Sequence, residues 1–368
     1  MNSLSIIMPC FNRADNLIRV LQAYDQQRGE EPFELVAVDD ASQDETYDIL
    51  ASYHPTRYTL RAYRMESNQG PAAARNRAIE KAQSPLLLIV GDDIVPAEDL
   101  VQGHITAHRL HPQPETAILG QVSWPNDLPK NTLMAHIDGI GAQQFSYYYL
   151  IDGEEYDFRH FYTANISIKS EFLKAQERWF DTDFHFAAFE DAELAYRLSK
   201  RGLHILYSST LVGYHYHPHN IWTFSKRQHN SGVMATVIIR KHPALTYMFR
   251  AQYYRLLNLL KRPKAVLQPH PPETIGWLED MTCRLLSLYE WDYKPSLDQL
   301  YLAVLDYFYY DGVIEGLFKP GLARRMRSAH ASGYLLPALT GFLVEAAAQK
   351  DPIPEKYAPR LLDRLSLL

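Results

Sequence analysis

Three short runs hold the residue types and spacings best suited to chemistry. Asp92-Asp93 follows the aliphatic run Leu86-Leu87-Leu88-Ile89-Val90 and precedes Pro96. Such a run reads as a strand buried on both faces. Carboxylates at the end of a buried strand are costly to desolvate unless a cation meets them. The pair therefore suits a divalent cation carrying a phosphorylated ligand, and it equally suits a solvated turn with Glu98 and Asp99 as helix-start acids. The second run is Phe189-Glu190-Asp191-Ala192-Glu193, at the start of a helix expected to end at Arg201 with Gly202 as its stop. A helix N-terminus favours the ionised carboxylate, which suits a general base and also suits helix stability alone. In the third, Tyr214-His215-Tyr216-His217, an extended chain puts both histidines on one face. Imidazole is a common metal ligand, although a histidine in a strand is often only structural.

The elements that must position these runs alternate strand and helix from Leu4 to Val122. Strands are expected at Ser5–Pro9, Glu34–Val38, Tyr58–Arg64 and Leu86–Val90, with helices between them from Asp15, after Ser42 and from Pro71. Ser42-Gln43-Asp44-Glu45 has the form of a capping box, and Pro71 suits a first helical position, where a missing N–H costs nothing. This alternation predicts an α/β fold with a mostly parallel sheet flanked by helices. Parallel strands bring four polar clusters to the ligand edge of the sheet. These are Pro9-Cys10-Phe11-Asn12-Arg13, Asp39-Asp40-Ala41-Ser42, Asn68-Gln69-Gly70-Pro71 with Arg75 and Asn76 following, and Asp92-Asp93. A nucleotide needs an apolar face for its base, a carboxylate for base or ribose, and cationic cover for its phosphates; Phe11, Asp40 and Arg75 meet those needs in turn. Neither Gly-x-Gly-x-x-Gly nor a Walker sequence occurs, so a dinucleotide fold and a P-loop are unsupported.

The 368 residues suffice for two domains, and 46% hydrophobic with 22% charged content is that of an ordinary soluble globular chain. The start lacks the features of a secretory signal, and no apolar run is long enough to span a bilayer. Cys10 and Cys283 are far apart and lack metal-ligand spacing, which fits a reducing cytoplasm. Net charge is −6, yet the stretch from Leu194 to Pro272 holds twelve Lys and Arg and no acid. That asymmetry suits an anionic partner and also a solvated basic surface. Gln144–Tyr149 reads as core or as a substrate wall, Phe161–Ile168 and Leu211–His217 as strands, and His104, His108 and His111 as surface residues. Beyond Ile221 the pattern is helical, with candidates Phe224–Arg240, Leu245–Leu260, Glu273–Tyr289, Leu297–Tyr310 and Leu335–Gln349. The expected organisation is a catalytic domain over 1–240 and a helical domain over 241–368, with the proline-rich 261–272 as linker.

Ser5–Arg13, Val38–Thr46, Asn68–Ala78, Ile89–Pro96, Ala164–Ser170 and Phe189–Gly202 together resemble family-2 glycosyltransferases with the GT-A fold. Phe224–Gly232 extends the likeness. The resemblance implies a nucleotide-sugar donor, UDP-sugar above others, a divalent metal (Mn2+ or Mg2+), and transfer with inversion to an acceptor hydroxyl on a glycan, lipid-linked or protein acceptor. Carried over by position, Pro9, Phe11, Arg13, Asn68, Gly70 and Arg75 belong to donor binding, Asp40 to the base, and Asp92 to the ribose. Asp93 is the metal ligand, joined by His215 or His217. Asp191 is the general base beside Glu190, and Arg227 closes over the diphosphate. Gly91 stands where some members carry another acid, which implies a weaker metal site. A pyrophosphorylase would want a Gly-rich loop where this chain has Pro9–Arg13. A non-enzymatic binding or scaffold protein acting through the helical part is the other alternative. Nucleic acid is not an expected partner; peripheral contact of Trp222 and Phe224 with an anionic membrane is.

Overall fold

The run Leu86–Val90 forms a strand with every residue buried. The computed structural model containing it describes residues 3–139, 147–249 and 271–348. In chain order the first elements are β1 (Leu4–Cys10), α1 (Ala14–Asp25), β2 (Phe33–Asp39), α2 (Thr46–Ser52), β3 (Thr59–Arg64), α3 (Pro71–Lys81) and β4 (Leu86–Val90). There follow β5 (Ile94–Pro96), α4 (Leu100–Leu110), β6 (Thr116–Ser123), α5 (Thr132–Asp138), β7 (Glu155–Tyr156), β8 (Asn165–Lys169), α6 (Ser170–Lys174), α7 (Glu190–Ser199) and β9 (His204–His215). The remainder is helical: α8 (Ile221–Lys241), α9 (Pro272–Leu288), α10 (Pro295–Leu317), α11 (Pro320–His330) and α12 (Leu336–Ala348), with a π-helical turn at Ala331–Leu335.

Among the described residues, those within Met1–Pro129 and Phe145–Pro218 form one compact unit, and those within Lys130–Gln144 and His219–Leu368 a second. The first is built on a mixed sheet in the order β3-β2-β1-β4-β8-β6-β9-β5. Its β3-β2-β1-β4 half is parallel, so the C-terminal ends of β1, β2 and β4 lie on one edge, as the sequence predicts. Strand β8 enters antiparallel to both β4 and β6, which strand and helix alternation does not foretell. Side chains alternate between two cores: Leu87 and Ile89 face the core that holds α3 and α7, whereas Leu86, Leu88 and Val90 face the one that holds α1 and α4. Burial on both faces is what an unbroken aliphatic strand demands.

Asp92 and Asp93 form the turn between β4 and the short strand β5, which runs antiparallel to the end of β9 with Ile94 opposite His215. Three local expectations are corrected. No capping box forms: α2 begins at Thr46 without a side-chain cap, Ser42 Oγ accepts the Asn12 N–H at 2.8 Å, and Asp44 accepts both Thr46 N–H and its hydroxyl. The strand expected over Phe161–Ile168 begins only at Asn165. His104 and His108 are buried, at 0% and 7% exposure, because Val101, His104, Ile105 and His108 share the inward face of α4. They meet Ser167 Oγ of β8 at 2.7 and 2.9 Å, and His104 also meets Asn165 Oδ1 at 3.0 Å. Polar residues facing one another across two elements satisfy the rule that buried polar groups are paired.

In the second unit α8 and α10 cross closely: a Cβ on Gly232 would collide with the Tyr309 carbonyl, and one on Gly312 with that of His229. The helix starting at Ile221 thus packs with the C-terminal helices, and the division falls at Pro218/His219, whereas the sequence places it near 240. Asn220 caps α8 by accepting the Thr223 N–H, and α11 is a helix the proline spacing does not reveal. Residues 250–260 of the expected Leu245–Leu260 helix, 261–270 of the expected linker and 144–146 of the aromatic run lie outside the described residues. No helix among the described residues is long and apolar enough to cross a membrane.

Candidate active site

At the ends of β1 and β4 the acid pair meets Arg13. Asp92 accepts the Phe11 N–H at 3.1 Å and the Arg13 Nε–H at 3.1 Å. Arg13 Nη2 lies 3.4 Å from Asp93 Oδ2, and Arg13 Nη1 lies 2.6 Å from His217 Nδ1. The β5–β9 pairing brings His215 Nε2 to 3.4 Å from the same Asp93 oxygen, with His217 Nδ1 at 3.8 Å. The Tyr216 N–H donates to the Asp93 carbonyl at 2.9 Å, and Trp124 stacks on the His215 ring at 5.0 Å. The two carboxyls are driven apart. Burial, opposed by Arg13 and reinforced by Asp93, raises Asp92. Burial would raise Asp93 as well, but His215, Arg13 and His217 together hold it well below the usual carboxylate range.

A second cluster joins β2 to the start of α3. Asp40 is buried, with its carboxylate accepting the backbone N–H groups of Gln69 at 2.9 Å and Gly70 at 2.7 Å. Asn68 Nδ2 donates to the Asp40 carbonyl. Burial raises the Asp40 carboxyl, with the two N–H groups pulling the other way. Gly70 is required here: its φ is +87°, and an added Cβ would come within 2.9 Å of the His185 carbonyl oxygen. Pro71 stands at the N-terminus of α3, as its chemistry predicts. Neighbouring Asp39 receives Ser42 N–H and the Arg64 guanidinium. Pro9 is half-buried in β1 beside Val38, and the Phe11 ring is 42% exposed, open to stack on a ligand.

The third cluster starts α7. Glu190 is buried, and its Oε1 accepts Arg75 Nη1 at 2.7 Å, with side-chain exposures of 3% and 8%. The Arg75 guanidinium also lies over the Phe180 ring at 5.3 Å, and Asn76 clamps Phe180 through both its N–H and its carbonyl. Arg75, expected over a diphosphate, thus spends its charge on Glu190. Asp191 is half-buried and accepts the Ala192 N–H at 2.7 Å. Burial and the Glu190 charge raise its carboxyl, with Arg75 opposing. A carboxylate with few partners and a raised proton affinity suits a base working near neutrality.

Contacts join the three clusters in series. Phe11 and Arg13 hold Asp92, Asn12 binds Ser42, and Asp40 holds the turn that opens α3; from α3, Arg75 holds the residue preceding Asp191. The positive-φ residues other than glycine among those described, Asn12 (49°), Ala41 (59°) and Phe189 (66°), each sit in one of the three clusters. Left-handed backbone costs an L-residue about 1–2 kcal/mol, and such strain concentrates at functional sites. Sequence reading did not single out Trp124, and it took Ser42 for a helix cap where the structure gives its hydroxyl to the Asn12 N–H. Arg227 belongs to the second unit, on α8, with its guanidinium 5.4 Å over the Phe224 ring.

The donor set for a divalent cation fits in part. Ligands about 2.1 Å from an ion stand roughly 3.0–3.5 Å apart, and Asp93 Oδ2 with His215 Nε2 at 3.4 Å meets that spacing. His217 does not, being farther from Asp93 and engaged with Arg13. Among the described residues no three His, Cys, Asp or Glu side chains gather closely enough to hold an ion alone. Two protein ligands would leave the remaining positions to a bound diphosphate. Gly91 keeps this corner open, since a Cβ there would stand 2.8 Å from Asp93 Oδ1.

The model of glycosyl transferase family 2 matches residues 5–168. The chain is 35% identical over 104 residues to an uncharacterized glycosyltransferase, YfnE, of Bacillus subtilis (strain 168), covering 28% of this chain and 26% of that one. It is 28% identical over 274 residues to validoxylamine A glucosyltransferase of Streptomyces hygroscopicus subsp. jinggangensis (strain 5008), covering 66% and 61%. The chain thus spans less than two thirds of the length of these relatives. Among solved structures, S. aureus TarS 1–349 in complex with UDP matches with a TM-score of 0.49 at 16% identity, over 90% of this chain and 92% of that one.

Proposed function

We propose, from the match of residues 5–168 to the model of glycosyl transferase family 2, that this chain moves a sugar from a nucleoside-diphosphate donor to an acceptor hydroxyl with inversion. The observation that carries this is the series of contacts running from the acid pair at β4, through Asp40 and α3, to Asp191. In this reading the Phe11 ring faces the base, Asp40 with the Asn68–Gly70 turn shapes the pocket for base and ribose, and Asp92 takes the ribose. Asp93 and His215 would hold a divalent cation, Mn2+ or Mg2+, which would supply positive charge against the diphosphate leaving group. Asp191 accepts the acceptor hydroxyl's proton as that oxygen attacks the anomeric carbon in line; the sugar–phosphate bond breaks, and its electrons leave with the nucleoside diphosphate. Arg75 and Glu190 keep the start of α7 in place.

Uridine is the favoured base, on the match of Pro9–Arg13, Asp40 and Asp92 to uridine-binding members. The basic stretch between Leu194 and Pro272 favours a polyanionic or lipid-diphosphate acceptor, reached at the inner face of an anionic membrane. Trp222, 41% exposed at the start of α8, suits that surface, whereas Phe224 is fully buried and does not. Incubation with UDP-, GDP- and dTDP-sugars plus Mn2+ tests the proposal. Release of nucleoside diphosphate from a uridine donor is expected, and failure of every donor to bind or turn over would overturn it.

A further inference from the structure

The family resemblance assigns Arg13 to donor binding; the structure gives it a further part, against the acid pair. Each of its three guanidinium nitrogens meets a different residue: Nε meets Asp92 at 3.1 Å, Nη2 meets Asp93 at 3.4 Å, and Nη1 meets His217 at 2.6 Å. The fork therefore spans two acids and a histidine. Asp93 Oδ2 stands within 3.4–3.8 Å of three nitrogens, from Arg13, His215 and His217. That is the oxygen a divalent cation would take together with His215, and Arg13 puts its own charge against it. The fork is not locked in, since the Arg13 and His217 side chains are 20% and 37% exposed. The Arg13 backbone is anchored separately by its N–H to Thr46 Oγ1 at 2.7 Å, so the side chain can swing without unseating the loop.

We propose that Arg13 is a resident counter-cation that keeps divalent metal off Asp93 until a diphosphate arrives, and that it then leaves the acids to pair with that diphosphate. The inference rests on the donor-binding reading above. A monovalent guanidinium is a sufficient partner for the acids while no ligand is bound. A diphosphate brings added negative charge, which a divalent ion at Asp93 and His215 offsets and which gives the guanidinium a second anion of matching fork geometry. Arg13 thereby couples the two binding events: cation and nucleotide each bind better when the other is present, by the same factor.

The test is Mn2+ binding at pH 8, followed by the electron paramagnetic resonance of free Mn2+, for the wild type and for Arg13→Met. Without nucleotide, Arg13→Met is expected to bind Mn2+ about tenfold tighter than wild type, or 1.4 kcal/mol. With saturating UDP, the wild type should tighten to meet the variant. A folded Arg13→Met protein that binds Mn2+ no better than wild type overturns the proposal. Should that variant fail to fold, Arg13→Lys serves instead, because a single ammonium cannot span three partners. It should show a smaller tightening, and unchanged affinity would overturn the proposal equally. The nucleotide-free comparison does not involve a donor. Arg13-dependent Mn2+ affinity without any UDP effect would therefore refute the donor reading and the coupling while leaving the counter-cation role intact.

Discussion

Removal of the Arg75 guanidinium, as in Arg75→Met, would expose what holds the start of α7 in place. Arg75 Nη1 and Glu190 Oε1 are 2.7 Å apart with both side chains buried. Arg75 Nε and Glu190 Oε2 are buried without a hydrogen-bond partner among the described residues, so the Nη1–Oε1 contact carries the pair. At an effective dielectric of about 20, unit charges about 4 Å apart attract by about 4 kcal/mol. Breaking a buried pair by deleting one partner typically costs about 3–5 kcal/mol, because the other charge is left uncompensated. Arg75→Met should therefore lower unfolding free energy by about 3 kcal/mol or more in urea titrations. Arg75→Met combined with Glu190→Gln should recover most of that, since an amide is cheaper to bury than an anion. The same series has a second readout. Arg75 lowers and Glu190 raises the Asp191 carboxyl, so the acid limb of the pH–rate profile should move up in Arg75→Met and down in Glu190→Gln. A cost below about 1 kcal/mol for Arg75→Met, with an unmoved acid limb, would refute the reasoning.

Gly70→Ala should destabilise by about 1–3 kcal/mol and weaken UDP binding, because φ of +87° and the His185 carbonyl at 2.9 Å leave no room for a methyl group; calorimetry with UDP and thermal melts check it, and wild-type values in both would contradict it. Acid should destabilise the fold through α4. Burial pushes His104 down to about 4 and His108 down to about 3, from an ordinary 6.5. The unfolded chain takes up protons below about pH 6.5 while the folded form does not, so stability is full above about pH 7 and falls progressively toward pH 3–4. The pair together accounts for a loss of about 4 kcal/mol at pH 5. Urea midpoints at pH 7.5 and 5 in wild type and in His108→Gln measure it, and the variant should lose roughly half as much.

Much of this arrangement is legible in the sequence because it depends on local chemistry. The run Leu86–Val90 reads as a buried strand, Pro71 can open a helix, and parallel strands force the polar clusters after β1, β2 and β4 to one edge. What escapes notice involves partners distant in the chain. The Arg13–His217 contact joins residues 204 positions apart, and β5 is a strand only because β9 returns beside it. His104 and His108 read as surface residues because their partners Ser167 and Asn165 are polar too, although their spacing with Val101 and Ile105 marks the buried face. Ser42 suits a cap by type, yet Asn12 claims its hydroxyl. The glycine approach of α8 to α10 likewise leaves no local signal of which helices belong together.

The central claim is that Asp191 takes the acceptor's proton. Asp191→Asn keeps the side chain's size and removes its basicity, and the hydrogen bond Asp191 accepts from the Ala192 N–H is available to an amide oxygen. The decisive measurement is donor turnover and UDP affinity in wild type and Asp191→Asn side by side. The account predicts kcat lower by about 100-fold or more, the usual weight of a general base, with UDP affinity unchanged. A variant that turns over at the wild-type rate would contradict it.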